Sequence, residues 1–268
     1  SNRERLICID AKTGKQINSF GKDGDVRTGL NVLTPVIYNN QIIIATWDRS
    51  VEVYDLNSGK KKWKIKYKKN INKRVGGKKY NNKGANPWGG ISLDRKRGLL
   101  FLTTGNPHPY FDGTLRPGNN LGSNSVISVD LNEKKILWSF QETSHDIWNL
   151  DLPAPPILTS ITLDNKIIDV VITPTKKGNT LILDRLTGRP VFEYKYRKAP
   201  VSKIRGEKTN IYQPYLDIPE PFSKNEFLED DFWSHKDSKL DQIKKKYTDY
   251  KYGFYATYEL GKKNLQYN

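Results

Sequence analysis

The sequence predicts an all-β fold, a β-propeller of about four blades with long insertions between them. Three observations support this prediction. One strand-and-turn template occurs four times in the 268 residues, further strand candidates lie between the copies, and successive Asp positions of the template are 45, 75 and 54 residues apart. Repeats of this length, each with room for about four strands, are typical of propeller blades.

Each copy of the template consists of alternating apolar residues, an Asp, a short turn that usually ends in Gly, and a later aromatic residue. Alternation with a period of two predicts a half-buried strand. The Asp side chain can accept hydrogen bonds within the turn, and Gly adopts the positive φ that the turn requires. The four copies occupy residues 6–14, 51–59, 126–134 and 180–188.

The aromatic residue of the template follows the Asp at a fixed distance. Three copies place Trp63, Trp138 or Phe192 eight residues after the Asp. The first copy has Asn18 at that position and Phe20 two residues later. We expect these rings to pack between neighbouring sheets, because large aromatic side chains contribute most when they are buried.

Further strands are predicted between the copies, and two insertions interrupt them. The strand candidates are residues 33–38, 41–46, 99–104 and 167–173, with Asn39-Asn40 as a hairpin turn between the first two.

Residues 67–87 are rich in Lys, Gly and Asn and are predicted to form a loop. The insertion 196–250 carries four prolines and is predicted to be loop, apart from a short helix over 238–247. The whole chain, 1–268, is thus expected to be one partial propeller domain.

The charge and composition exclude several classes of protein. Lys and Arg number 45 against 29 Asp and Glu, a net charge of +16. The basic residues are spread along the chain without a zinc-finger spacing or an RNA-binding aromatic motif, so a solvated surface is favoured over a nucleic-acid partner. No run approaches the 18 apolar residues of a membrane-spanning helix.

Sulfur-containing residues are almost absent. Cys8 alone excludes an intrachain disulfide framework and a cysteine-based zinc site, and its place in an apolar strand predicts burial. The chain begins with Ser, contains no Met and shows no signal peptide, so we expect it to be a portion of a longer protein.

Four motifs between residues 86 and 156 carry a resemblance to a known family. They read NPWGGISLD at 86–94, TGNP at 104–107, RPGNN at 116–120 and HDIWNLDLPAPP at 145–156. Together they resemble the pyrroloquinoline quinone (PQQ)-dependent dehydrogenases, most closely the glucose-dehydrogenase-like branch. The resemblance covers nearly the whole chain in order.

The resemblance implies an eight-bladed propeller, of which this chain would be an internal portion. It implies oxidation of an alcohol, polyol or aldose, with electrons passed to ubiquinone or cytochrome c. It also implies a periplasmic protein, soluble or associated with the membrane. The alternative is a propeller with similar repeats and no catalysis, which serves as a scaffold or a binding protein.

The family pattern also implies cofactor and metal ligands. The Trp of the Trp-Gly motif forms the floor under PQQ, here Trp88, and a Lys or Arg at the position of Lys176 reaches the quinone oxygens. The Asn of the Gly-Asn-Pro turn ligates Ca²⁺, here Asn106, and Asp48 is the candidate for an acidic ligand. Asp151 matches both an extra ligand of lanthanide-using relatives and an Asp-Leu-Pro motif of glucose-dehydrogenase-like members.

Each of these assignments has a purely structural alternative. Trp88 could be a core tryptophan, Asn106 an ordinary turn residue, Asp48 a surface carboxylate and Lys177 a solvated neighbour of Lys176. Four other residues are given no chemical role: His145 and Asp146 are predicted to hold their loop, and His108 and His235 are predicted to lie on the surface.

The catalytic base departs from the family pattern. The resemblance implies an Asp that removes the proton of the substrate hydroxyl, and that position holds Asn149. An amide cannot act as a general base. Three explanations stay open: activity has been lost, Asp151 has taken over, or the chain comes from a non-catalytic paralogue.

Overall fold

The computed structural model describes residues 4–68, 74–75, 77–80, 83–224, 228–234, 237–248, 250, 253, 255–259 and 261. Within these ranges the chain is built almost entirely of short antiparallel strands, which confirms the all-β prediction. The elements are β1 (Arg5–Ile7), β2 (Asp25–Arg27), β3 (Val36–Tyr38), β4 (Gln41–Thr46), β5 (Ser50–Asp55), β6 (Lys61–Lys66), β7 (Arg74–Val75), β8 (Lys78–Lys79), β9 (Lys83–Gly84), β10 (Ile91–Asp94), β11 (Leu99–Thr103), β12 (Pro107–His108), β13 (Ser125–Asp130), β14 (Lys135–Gln141), β15 (Ile157–Leu163), β16 (Lys166–Pro174), β17 (Thr180–Asp184), β18 (Lys195–Lys198), β19 (Tyr212–Tyr215), a 3₁₀ turn (Glu229–Asp231) and α1 (Asp237–Tyr247).

The strands form successive meanders. Two sheets have four strands, in the orders β3-β4-β5-β6 and β10-β11-β13-β14, and a third has the order β15-β16-β17. β1 and β2 make a two-stranded sheet at the start of the described chain. Each repeat of the template therefore lies in a separate antiparallel sheet, as the blade prediction requires.

Apolar side chains from neighbouring sheets share common cores. One cluster joins β4 and β5 to β11 and β13, with Ile43, Val53 and Leu100 fully buried in it. A second joins β11 and β13 to β16 and β17, through residues such as Phe101 and Val171. The sheets are thus packed face to face in chain order, which places the loops at their ends side by side.

The template turns have the local structure that their sequence predicts. The Asp55 carboxylate accepts hydrogen bonds from the backbone N–H and the hydroxyl of Ser58, each at 2.9 Å. These bonds lower the pKa of Asp55 to about 2. Asp10 and Asp184 accept the equivalent bonds. The closing glycines Gly14, Gly59 and Gly188 share a φ of +69°.

Aromatic rings of the template pack on the turn of the following repeat. A Cβ atom on Gly188 would lie 2.5 Å from the Trp138 indole, and one on Gly59 would lie 2.9 Å from the Phe20 ring. Trp138 also donates its Nε1–H to the carbonyl of Arg185, at 3.1 Å. Phe20 thus fills in the first repeat the place that a Trp fills in the third, and the predicted packing between sheets is confirmed for Phe20 and Trp138.

Several predicted elements need correction. Residues 67–87 are not all loop, since β7, β8 and β9 lie within them. β18 and β19 pair at the start of the insertion 196–250, and β15 was missed altogether. Helix α1 agrees with the predicted helix to within one residue. In the described part of the chain, no helix is long and apolar enough to cross a membrane.

Two predictions about single residues have different outcomes. Cys8 is only half-buried, because it directly follows β1, which belongs to a two-stranded sheet and is covered less than the central strands. His235 lies outside the described residues.

Candidate active site

One cavity collects most of the residues that the sequence singles out. It has a volume of about 330 Å³ and lies where the loops after β4, β9, β11 and β14 meet. Its lining residues are Trp47, Asn86, Trp88, Gly105, Asn106, Tyr110, Asn149 and Asp151. Lys176 reaches the same place through Asp151, with 3.0 Å between its Nζ and Oδ2 of the carboxylate.

Asp151 is the centre of the polar contacts in the cavity. Its Oδ1 accepts the backbone N–H of Asn106 at 2.6 Å and faces the Trp88 indole nitrogen at 3.5 Å. Lys176 also donates to the backbone carbonyl of Asn149, at 3.1 Å. Four residues that are far apart in the chain, Trp88, Asn106, Asn149 and Lys176, are thus joined through one carboxylate and its loop.

Gly105 makes the close approach of these groups possible. A Cβ atom at this position would lie 2.6 Å from Asp151 Oδ1 and 2.7 Å from Trp88 Nε1. Contacts that short are forbidden, so a side chain here would push the indole and the carboxylate apart. The Gly in the Thr-Gly-Asn-Pro turn is therefore required by the geometry of the site.

The amide oxygen of Asn106 accepts only a long hydrogen bond. Asn106 is 3% exposed as a residue, and its amide donates an Nδ2–H to Oδ1 of Asn149. Its own Oδ1 lies 3.2 Å from Asn124 Nδ2, which makes shorter contacts with Asp146 Oδ2 and the Leu150 carbonyl. An amide NH₂ has two hydrogens, so the two shorter contacts use them and the Asn106 oxygen keeps its lone pairs available.

Asp146 fixes the loop that carries Asn149 and Asp151 through hydrogen bonds to its backbone. This fully buried carboxylate accepts the backbone N–H groups of Trp148 at 2.7 Å and Leu150 at 2.8 Å. Burial raises the pKa of Asp146 despite these bonds. Asn149 is thereby held at a φ of +66°, an uncommon conformation for a residue other than Gly.

His145 holds the other end of this loop, as the sequence predicted. Its Nδ1 lies 2.8 Å from the Gly118 carbonyl and its Nε2 lies 2.5 Å from Oε1 of Glu207. Burial raises the pKa of Glu207, but the hydrogen bond and charge of His145, the N–H of Gly113 and the charge of Arg116 together outweigh burial, so the pKa is lowered. The contact between His145 and Glu207 links the insertion 196–250 to the loop that carries Asn149 and Asp151.

Asp48 is not brought into the cavity. Its carboxylate accepts the Lys64 ammonium at 2.6 Å and the Thr46 hydroxyl at 2.6 Å. Burial raises the pKa of Asp48, but the hydrogen bonds from Lys64, Thr46 and Ser50 and the charge of Lys64 together outweigh burial, so the pKa is lowered. Asp48 lies in the turn between β4 and β5, outside the lining of the cavity, and is paired there with Lys64. Its assignment as a metal ligand stays a prediction that this geometry does not favour.

The described ranges contain no cluster of three His, Cys, Asp or Glu residues that could hold a metal ion. The side chains with oxygen atoms that line the cavity are instead the amides of Asn86, Asn106 and Asn149, the Tyr110 hydroxyl and the carboxylate of Asp151.

Lys177 was interpreted as a solvated neighbour, and this interpretation is wrong. The side chain is 2% exposed and its ammonium lies 2.7 Å from Glu142 Oε1. It also donates to the Tyr255 hydroxyl at 2.9 Å and to the Pro214 carbonyl at 3.1 Å. The cause is the turn after β16, which points two successive lysines to opposite sides, Lys176 to the cavity and Lys177 to the interior.

Sequence reasoning missed several residues that shape the site. Asn124 and the fully buried Arg116 support the loop through contacts with Asp146. Trp47 and Tyr110 line the cavity, and both are more than one-third exposed. Asn124 could have been identified from the sequence, because it is a polar residue directly before the apolar strand β13.

His108 is exposed, as predicted, but it lies beside Tyr110, with 4.5 Å between the ring centroids.

Comparison with known proteins places this geometry in one family. Residues 1–267 match the family described as "PQQ: Glucose/ethanol/alcohol dehydrogenase, beta-propeller domain". The chain is 28% identical over 265 residues to the glycerol dehydrogenase large subunit of Gluconobacter thailandicus, which covers 89% of this chain and 36% of that protein. It is 27% identical over 271 residues to quinoprotein glucose dehydrogenase A of Acinetobacter calcoaceticus, covering 90% and 34%. The chain thus spans about a third of the length of these curated relatives.

Solved structures share the fold. Quinohemoprotein alcohol dehydrogenase from Comamonas testosteroni has a TM-score of 0.56 and 22% identity, covering 81% of this chain and 36% of that one. A europium-containing methanol dehydrogenase has a TM-score of 0.60 and 19% identity, covering 71% and 38%. The β-propeller prediction is confirmed by these matches together with the family model.

Proposed function

The chain belongs to the PQQ family of glucose/ethanol/alcohol dehydrogenase β-propeller domains, and we propose that it supplies the cofactor site of a PQQ-dependent dehydrogenase. The substrate would be an alcohol, a polyol or an aldose. The observation that carries the proposal is the convergence of Trp88, Asn106, Asp151 and Lys176 on one cavity. A scaffold would have no use for a cation, an aromatic surface and oxygen donors at a single point.

The residues of the cavity fit a flat anionic quinone. Trp88 is 38% exposed, so its indole offers an aromatic surface beside the cavity. Lys176 keeps a quarter of its side chain exposed while it pairs with Asp151, which leaves its ammonium accessible to a bound oxygen. Bound PQQ would supply the redox chemistry as hydride acceptor, while Trp88 and Lys176 would hold and orient it.

The cavity also supplies some of the oxygen ligands that a hard cation requires. Asn106 Oδ1 keeps lone pairs available, and Asp151 contributes a carboxylate at the same cavity. Oxygen donors of these two types suit Ca²⁺, which accepts six to eight oxygens in irregular arrangements. We propose that Asn106 and Asp151 hold Ca²⁺, or a lanthanide in its place, and that the remaining oxygens come from outside this set of residues.

We assign proton removal to Asp151. Asn149 cannot accept a proton, and the Asp151 carboxylate is the acidic group that lines the cavity. Its contacts with Asn106 and Lys176 fix its position, so that a substrate hydroxyl in the cavity would meet it in one orientation. Lys176 beside it supplies positive charge where negative charge develops on the acceptor.

Features of the whole protein follow from the family and are proposals for this chain. We place the protein in the periplasm, either soluble or associated with the membrane. Electrons would pass from the cofactor to ubiquinone or to cytochrome c.

Titration with PQQ in the presence of Ca²⁺ tests the function. Binding is followed through quenching of tryptophan fluorescence and through the quinone absorbance. We expect Trp88→Ala to weaken binding by about 5- to 150-fold, because stacking on an aromatic ring contributes about 1–3 kcal/mol. Trp233→Ala is the matched control, since Trp233 lies in the insertion and is 69% exposed. A folded wild-type protein that does not bind PQQ would refute the proposal.

The role of the base is tested on the loaded protein. We expect Asp151→Asn to abolish turnover, and Asn149→Asp to raise it by much less than the 10²–10⁴-fold that a new base would provide. Unchanged turnover in Asp151→Asn would exclude Asp151 as the base. PQQ binding without turnover in the wild type, rescued by Asn149→Asp, would instead support the non-catalytic alternative.

A further inference from the structure

His145 is a buried histidine whose two ring nitrogens both face oxygen atoms. It is 1% exposed, and its Nδ1 lies 2.8 Å from the Gly118 carbonyl oxygen. Its Nε2 lies 2.5 Å from Oε1 of Glu207. A carbonyl oxygen only accepts hydrogen bonds, so Nδ1 carries a proton. Whether Nε2 carries a proton as well depends on the state of Glu207.

Glu207 accepts hydrogen bonds through both of its carboxylate oxygens. Its side chain is 0% exposed. Its Oε2 accepts the backbone N–H of Gly113, and its Oε1 accepts the backbone N–H of Lys208 at 3.0 Å. The contacts with His145 and Gly113 and the charge of Arg116 lower the pKa of this carboxyl despite its burial, which raises it. Glu207 is therefore a carboxylate, and Nε2 of His145 donates to it.

Arg116 is the other buried cation beside this pair, and its hydrogen bonds go to neutral oxygens. The Asp146 carbonyl, for example, accepts from its guanidinium at 2.7 Å. Burial lowers the pKa of Arg116, and the charges of the titratable groups around it act in the opposite direction. These groups are Asp112, Asp146, Glu207 and Tyr80. Arg116 thus leaves the Glu207 carboxylate to His145.

The pair joins three segments that are far apart in the chain. Gly113 lies in the loop between β12 and β13, which also carries the cavity residue Tyr110. His145 lies in the loop after β14, which carries Asn149, and Glu207 lies in the insertion 196–250. A Cβ atom on Gly113 would overlap Nε2 of His145 and would lie 2.7 Å from Oε1 of Glu207. Gly113, His145 and Glu207 therefore form a tightly packed latch between the insertion and two loops of the cavity.

We propose that Glu207 is a positioning residue of the active site: it holds His145 as a doubly protonated imidazolium, and this ion pair fastens the insertion to the loops that line the cavity. A hydrogen bond between charged groups is roughly twice as strong as one between neutral groups. Loss of the Nε2 proton would turn a lone pair of the ring toward the carboxylate. The latch is thus closed while His145 is protonated and opens when rising pH removes that proton. Its effect on turnover rests on the proposed function, whereas the protonation of His145 does not.

NMR of the histidine rings tests the latch directly, because the chain has only 3 histidines. The protein is labelled with ¹⁵N-histidine and measured at pH 7 without cofactor, and the His145 signals are identified by their loss in His145→Gln. Both ring nitrogens of His145 should carry protons in the wild type. Only Nδ1 should do so in Glu207→Gln, because the Gly118 carbonyl still accepts from it. Glu220→Gln, which changes an exposed glutamate of the same insertion, is the matched control and should leave both protons in place. A wild-type His145 with a single ring proton would overturn the proposal.

Turnover of the protein loaded with PQQ and Ca²⁺ tests the positioning role. Glu207→Gln should lower kcat by about 10- to 100-fold, because a displacement of about 1 Å at the reacting groups has effects of this size. It should leave the affinity for PQQ nearly unchanged, since Trp88 and Lys176 lie outside the three segments of the latch. In the wild type, kcat should fall with rising pH over the interval in which NMR shows His145 losing its second proton. Glu220→Gln should keep this dependence.

The outcomes separate the latch from the proposed function. An unchanged kcat in Glu207→Gln would overturn the positioning role, and so would a kcat that falls over a different pH interval from the one in which the His145 ring changes. If Glu207→Gln does not fold, the comparison of these two intervals in the wild type still decides. If PQQ does not bind, the proposed function fails, while the ring protons of His145 still decide whether the latch exists.

Discussion

Replacement of Lys177 by Met should destabilise the protein strongly, although the residue is one of two adjacent lysines in an apparently ordinary turn. The Lys177 and Glu142 side chains are 2% and 0% exposed, and their charged atoms are 2.7 Å apart. Burial lowers the pKa of Lys177, but Glu142 and Tyr255 together raise it more, so the ammonium stays charged. The variant would leave Glu142 buried and uncompensated.

The expected magnitude follows from that burial. Removal of one partner of a buried ion pair costs about 3–5 kcal/mol, far more than the pair itself contributes. The Pro214 carbonyl would keep the Tyr255 hydroxyl as a donor, at 3.2 Å, so no second unsatisfied group adds to the cost. Urea unfolding, followed by tryptophan fluorescence, should show the midpoint fall accordingly.

Two further variants make the test specific. Lys177→Met combined with Glu142→Leu should recover most of the lost stability, because an apolar pair avoids the desolvation of both charges. Lys176→Met should cost about 1 kcal/mol or less, since Lys176 is 24% exposed in its pair with Asp151. A Lys177→Met protein as stable as the wild type, or a double variant no more stable than the single one, would refute this reasoning.

Two other predictions concern stability. Burial and like charges lower the pKa of Lys68 from 10.5 to about 7, so the unfolded chain binds more protons between these two pH values and the free energy of unfolding should rise with pH across them. Lys68→Met should therefore raise the free energy of unfolding by roughly 3–5 kcal/mol at pH 7 and by little above pH 10.5. An equal gain in stability at both pH values would contradict this cause. Gly188→Ala should cost about 2–4 kcal/mol, since its Cβ would overlap the Trp138 ring at a φ of +69°. Gly14 has the same φ, but a Cβ there would have nothing within 4 Å, so Gly14→Ala should cost only the backbone strain of about 1 kcal/mol. Thermal unfolding of the Gly188→Ala and Gly14→Ala proteins compares the two costs.

Much of the fold could be predicted because the template is local. The bonds from Ser58 to Asp55 and the φ of Gly14 depend on neighbours within the same turn, so four residues of sequence are enough to indicate them. β15 escaped notice because it is an edge strand in which no residue is buried, and Thr159, Ser160 and Thr162 interrupt its apolar residues.

The candidate site could be predicted only in part. The residue types at Trp88, Asn106 and Lys176 have the spacing of a known family, and the structure brings them together around Asp151. Asp48 was included by its position in a loose alignment, and the structure pairs it with Lys64 instead.

The sequence by itself determined the repeats, the turns and the inventory of groups that can hold a quinone and a cation, because each depends on short segments of chain. Only the tertiary structure decided which of those groups meet. Lys176 and Lys177 are adjacent and chemically identical, yet one pairs with Asp151 at the cavity and the other with Glu142 in the interior. The difference arises from partners in other repeats and from Tyr255, 78 residues away, and burial set by such distant contacts is not encoded in any local pattern.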